Sequence, residues 1–150
     1  MSQPTIHATA VVIGEAGVLI RGAPGAGKTS LAFALVDAAR RDGLYAAFIA
    51  DDRVALAAVN GRLVARCPET IAGLAERRGR GIEPVEHVPA AVIRLVADLV
   101  AAEAVIRLPE AAEEEVEIDG VRLARQAIPA QQTAISLSLL FTALTEMNKF

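Results

Sequence analysis

From Gly22 to Ser30 the chain reads GAPGAGKTS, three glycines, a lysine and two hydroxyls in an otherwise alanine-rich, apolar sequence. Gly22 to Thr29 matches G-x-x-x-x-G-K-[ST] at every fixed position. Gly22, Ala23, Pro24, Gly25, Ala26 and Gly27 would form a loop whose backbone N–H groups converge on phosphate oxygens, backed by the positive end of a following helix. Lys28 would reach the β- and γ-phosphates and Thr29 would coordinate Mg²⁺. Of the 15 basic residues only Lys28 and Lys149 are lysines, so the ammonium inside the loop stands out. A thin flexible stem can thread along phosphates where a planar guanidinium is too bulky. The chemistry implied is capture of a nucleotide such as ATP with its magnesium ion.

Asp51 and Asp52 follow the apolar run LYAAFIA, at the carboxyl end of a predicted strand, where open α/β sheets bind ligands. One carboxylate there would organise Mg²⁺, and a second could take a proton from an incoming hydroxyl. The plainer reading is a polar turn. Glu76 sits among Arg77, Arg78 and Arg80, which on composition alone is a solvated loop. By the same standard His7 is a structural histidine, His87 has no role, Arg107 is an ordinary surface arginine, and Glu113 to Glu115 are solvated.

These residues need elements to hold them. IHATAVVI and VLIRG read as two strands joined by a glycine-bounded turn, and the second feeds the glycine loop. Lys28 to Arg41 is a predicted helix, with Leu31, Leu35 and Val36 at helical spacing and Gly43 beyond its end. LYAAFIA completes a strand–loop–helix–strand unit with parallel strands. VALAAV and RLVAR flank Asn60-Gly61, the preferred type I′ hairpin pair. PETIAGLAE is expected to make a short helix and RRGRGIEPVEHVP a loop, while AVIRLVADLV scores as either a buried strand or a helix, its Val and Ile content favouring strand. EEVEIDGVRLARQAI carries a second hairpin signal at Asp119-Gly120, and TAISLSLLFTALTEM closes the chain as an amphipathic helix.

Composition bounds the rest. A chain of 150 residues, 53% hydrophobic, fits one domain with a core of Ala, Val, Leu and Ile. With 3% aromatics and a net charge of −3, neither base stacking nor nonspecific nucleic-acid binding is expected. Cys67 is the only cysteine and reads as a small core residue, so neither an intrachain disulfide nor a cysteine-built zinc site is available. The amino terminus does not have the form of a signal peptide. Arg94, Asp98 and Glu103 interrupt the most apolar stretch too often for a membrane span. A soluble cytoplasmic protein is expected.

Taken in order, IHATAVVIGEAGVLIRGAPGAGKTS, FIADDRV, LAERRGRGI and VIRLPE resemble the catalytic domain of the HPr kinase/phosphorylase family over most of residues 6–110. The matching residues are His7, Gly22 to Thr29, Asp51-Asp52, the signature Glu76, Arg78, Gly79, Gly81 and Ile82, and the later Arg107. The resemblance implies an α/β, P-loop nucleotide-binding domain of the PEP carboxykinase-like kind, a central sheet with flanking helices. It implies a bacterial ATP-dependent kinase that phosphorylates a serine of HPr, the carrier of the sugar phosphotransferase system, and in many members also removes that phosphate by phosphorolysis. On this basis Asp52 is the proton acceptor with Asp51 supporting it, and Thr29, Asp51 and Glu76 serve Mg²⁺. Lys28 serves the phosphates, and His7, Arg78 and Arg107 belong to the catalytic group. The chain resembles the short alphaproteobacterial-type members, a single catalytic domain over residues 1–150, and the likeness implies a hexamer. Near the carboxyl end IPAQQTA replaces the basic proline- and glycine-containing loop tied to phosphorolysis in longer members. Two other readings compete: a small-metabolite P-loop kinase, for which the arginines at 77–80 would form a lid, and a nucleotide-binding regulator without catalysis.

Overall fold

The structure is a computed structural model that describes residues 4–147. Strand β1 (Thr5–His7) is followed by β2 (Thr9–Ile13) and β3 (Ala16–Arg21). The expected single strand IHATAVVI thus breaks at Ala8. The reason is a change of neighbour: β1 pairs with β5 (Arg53–Val59), whereas β2 pairs with β3 and with β4 (Ala46–Ala50). The β2–β3 hairpin turns through Gly14-Glu15, with Gly14 at φ +62°. Every residue of β2 and of β4 is buried, as their β-branched, small and aromatic residues require of strands covered on both faces.

Helix α1 (Lys28–Arg41) has the predicted bounds and buries Leu31, Phe33, Leu35 and Val36 against the sheet. Arg40 and Arg41 in its last turn complement the negative end of the dipole, and Gly43 at φ +78° turns the chain away. Strand β4 runs in the same sense as β3, as expected of the unit, but β2 lies between them. Strand β5 and β6 (Arg62–Arg66) meet across Asn60 and Gly61, both at positive φ as the I′ turn demands. After Pro68 the predicted helix is a single 3₁₀ turn, Glu69–Ile71.

The segment expected to be a loop is instead a ribbon, β7 (Leu74–Arg77) paired with β8 (Gly81–Pro84). Gly79 at φ +93° and Gly81 at φ +101° reverse the chain there, so the glycines are the turn of a hairpin. Strand β9 (Ala90–Val100) is the longest and lies at the centre. It pairs with β3 on one edge, and on the other with β6 along its first part and with β11 (Val121–Pro129) along its second. Strand β10 (Glu115–Ile118) pairs with β11 through Asp119-Gly120, and α2 (Thr133–Met147) closes the fold.

The main sheet runs β1-β5-β6-β9-β3-β2-β4, with β10 and β11 branching from β9. On one face Val18, Ile20, Leu95 and Ala97 pack against Leu31 and Leu35 of α1 and Leu140 and Leu144 of α2. On the other, Leu19, Ile49, Val54, Leu63, Ile93 and Val96 meet one another because the sheet curls. Each such Leu or Ile contributes about 1.5–3 kcal/mol by leaving water. Among the described residues no helix is long and apolar enough to cross a membrane.

Candidate active site

Strand β3 delivers Arg21 to the loop, and Gly22 turns so close over β9 that an added Cβ would lie 3.0 Å from Leu99 Cβ. Gly25 and Gly27 adopt φ +80° and +100°, open to glycine and strained for other residues. Gly27 is also the N-cap of α1; no side chain caps that end and no acid sits in its first turn. The positive end of the helix therefore remains available to an anion. Lys28 Nζ donates to the carbonyls of Gly22 (2.9 Å) and Ala23 (3.2 Å), which folds the ammonium along the loop.

The next strand brings the carboxylates. Asp51 is 7% exposed and accepts from Thr9 Oγ1 at 3.0 Å and Thr29 Oγ1 at 2.7 Å on one oxygen, and from the Glu76 N–H at 3.3 Å on the other. Asp52 differs in every respect. Its φ is +70°, and the Arg53 N–H donates to the Asp51 carbonyl across it at 2.9 Å, which makes a γ-turn. Such a conformation costs about 1–3 kcal/mol and re-aims the side chain. The Asp52 carboxylate is 72% exposed and stands 3.6 Å from His7 Nδ1.

His7, Pro24, Gly25, Gly27, Lys28, Thr29, Asp51, Asp52, Glu76 and Arg78 together line a concavity of about 510 Å³. Of the other expected loop residues, Gly22 and Ala23 lend their carbonyls to Lys28, and Ala26 turns toward the helix-side core. Arg107 is not brought to this concavity; it lies exposed in the irregular segment after β9. Two further residues line it: Thr9, which the sequence did not single out, and Ser30, which was read as a hydroxyl at the end of the loop with no role of its own. Thr9 is 1% exposed, and its hydroxyl also meets the Asp52 N–H at 3.5 Å. A hydroxyl two residues past His7 at the head of an apolar strand was the available signal.

Two further contacts support the loop. Gln131, at φ +65°, donates from Nε2 to the carbonyls of Gly25 (3.2 Å) and Ala26 (3.4 Å), so the IPAQQTA stretch touches the phosphate loop. On the face of the sheet away from the helices, Arg21 grips Asp98 with Nε at 2.8 Å and Nη2 at 2.9 Å, and Arg125 Nε adds a third bond at 2.6 Å. Burial pushes the Asp98 carboxyl up, but the hydrogen bonds and charges of Arg21 and Arg125 outweigh it and hold its pKa below the ordinary carboxylate value. Cys67 is half-buried, and burial first and the Asp51 charge second push its thiol up, in keeping with a small packing residue rather than a nucleophile.

The site suits a magnesium ion. Asp51, Thr29 and Glu76 offer hard oxygen donors on one concavity, and Mg²⁺ takes one or two carboxylates and completes its shell with phosphates and water. No group of three or more His, Cys, Asp or Glu among the described residues forms a metal cage of its own, which that mode of binding does not need.

Fold and site together define an α/β P-loop domain that sets a phosphate cradle beside two carboxylates of unlike environment. The model of the HPr serine kinase C-terminal domain matches residues 1–148, and the chain belongs to that family. Among solved structures it is similar to the Hpr(Ser) kinase/phosphatase from Coxiella burnetii, at 25% identity and a TM-score of 0.76 over 97% of this chain and 99% of that one. No curated protein matches it.

Proposed function

We propose that this chain transfers the γ-phosphate of ATP to a serine hydroxyl of HPr, with Asp52 as the base. The observation that carries the reading is the contrast within the Asp51-Asp52 pair. Asp51 is held by three donors and is committed to the loop. Asp52 projects, exposed, into the same concavity beside His7. A serine hydroxyl placed there gives its proton to an Asp52 carboxylate oxygen as its own oxygen bonds to the γ-phosphorus, and the bond from that phosphorus to the bridging oxygen breaks to release ADP. Lys28 exchanges the Gly22 and Ala23 carbonyls for phosphate oxygens, and the amides at the head of α1 hold the β-phosphate. His7 and Arg78 meet the charge on the transferring group. Thr29, Asp51 and Glu76 would hold Mg²⁺, which supplies charge neutralisation on the phosphates when bound. Arg107 is outside this arrangement. A cytoplasmic setting and an assembly of six copies belong to the same proposal through the family likeness and enter no step of it.

The test is to incubate the chain with Mg-ATP and HPr and weigh intact HPr. One added phosphate, lost with Asp52→Asn while ATP binding persists, is the expected result. Transfer to a small hydroxyl compound but not to HPr would make it a metabolite kinase, and ATP binding without transfer a regulator. Adding inorganic phosphate to phosphorylated HPr reads the reverse reaction through loss of the added mass.

A further inference from the structure

Arg77 stands between two residues of the concavity, Glu76 and Arg78, on strand β7. Alternation along a strand turns it to the opposite side, the side on which Ala75, 3% exposed, joins the helix-face core. There its guanidinium carbon lies 3.9 Å from the centre of the Phe33 ring. Its Nε donates to Glu83 Oε1 at 2.9 Å, and its Nη1 stands 3.9 Å from Asp37 Oδ2. Phe33 and Asp37 are one helical turn apart on α1, the helix whose first residues are Lys28 and Thr29. Glu83 belongs to β8. One side chain therefore ties both strands of the ribbon to the helix that carries the phosphate loop.

The ribbon has need of such a tie. It shares no ladder with the main sheet, and a two-stranded hairpin alone is marginal in water. Its backbone link to the site is the Glu76 N–H on Asp51, at 3.3 Å.

We infer that Arg77 is a positioning residue: stacked on Phe33, bonded to Glu83 and facing Asp37, it fixes where Glu76 and Arg78 stand relative to the phosphate loop. The inference rests on the reading that those two neighbours serve the metal and the phosphates. A planar guanidinium can stack and bond in its plane at once, which an ammonium cannot.

Two variants test it. Arg77→Met keeps an apolar stem over Phe33 and loses the cation and the donors; Arg77→Lys keeps the cation and loses the plane. Amide hydrogen exchange is followed at 74–84 and in β9, and ADP binding is measured with and without Mg²⁺. In Arg77→Met the ribbon amides exchange faster while β9 is unchanged. The Mg²⁺ concentration that half-saturates ADP binding rises about tenfold, as when a group that orients a metal ligand is lost. Metal-free ADP affinity stays at the wild-type level, and Arg77→Lys restores only part of the effect. Unchanged ribbon exchange and unchanged Mg²⁺ dependence in both variants would overturn the inference. So would faster exchange throughout the chain with equal loss of metal-free binding, which marks a general stability role. If the wild-type chain shows no Mg²⁺-dependent ADP binding, the reading of the site falls, and the exchange arm alone decides whether Arg77 holds the ribbon.

Discussion

Thr9 Oγ1 touches both acids of the pair, donating to Asp51 and receiving the Asp52 N–H. Thr9→Val keeps the shape and removes the hydroxyl, leaving a buried carboxylate one donor short at a cost of about 1–3 kcal/mol. Denaturant unfolding should show that loss, phosphoryl transfer to HPr should fall, and Thr9→Ser should recover most of both. Asp98 offers a second measurement. Its folded pKa lies below the ordinary 3.8, so its contribution to stability is full above pH 3.8 and disappears as pH falls through the folded value. Asp98→Ala should cost at least about 2 kcal/mol at pH 7, toward the low side for a broken buried pair because Arg21 is 32% exposed. The gap between wild type and variant should close as the solution is acidified below pH 3.8. Neither residue was legible as important in the sequence. Thr9 looked like any strand threonine, and Asp98 counted only as a charge in an apolar run, because their partners Asp51 and Arg21 lie 42 and 77 residues away. Lys28, Thr29 and the loop glycines were legible because their chemistry is packed into eight adjacent positions.

Between residue and molecule, the ribbon of β7 and β8 shows what local pattern can and cannot reveal. Helix α1, helix α2 and the two hairpins at Asn60-Gly61 and Asp119-Gly120 were readable because their spacing and turn residues act within a few positions. The ribbon was not, because six of the nine residues in RRGRGIEPV are glycine, proline or arginine, and its strands are held by long-range contacts with α1. At its base Gly73 has φ +74°, and an added Cβ would sit 2.7 Å from His87 Cε1. Gly73→Ala should therefore combine left-handed strain with a clash. The expectation is a loss of about 1–3 kcal/mol in thermal or denaturant unfolding, with Mg²⁺-dependent ADP binding weakened beyond what the stability loss explains.

At the scale of the whole molecule, two cores share one curled sheet, and α2 joins the helix-side core to the site through Gln131 in the loop that precedes it. Leu140, fully buried where α2 meets α1 and the sheet, should cost about 2–5 kcal/mol when cut to Ala, read as a lowered melting temperature. Saturating Mg-ATP acts in the opposite direction, adding about 2.7 kcal/mol at a hundred times its dissociation constant. That gain should vanish with Lys28→Ala. The lining residues run from His7 to Arg78, yet β3, on which the loop is mounted, takes its parallel partner from the later segment Ala90 to Val100. During translation every side chain to which the proposal gives a role is thus made before the strand that can mount it. A chain stopped at Pro89 should bind no labelled nucleotide, and a stalled ribosome would hold every side chain that lines the concavity with no sheet to gather them.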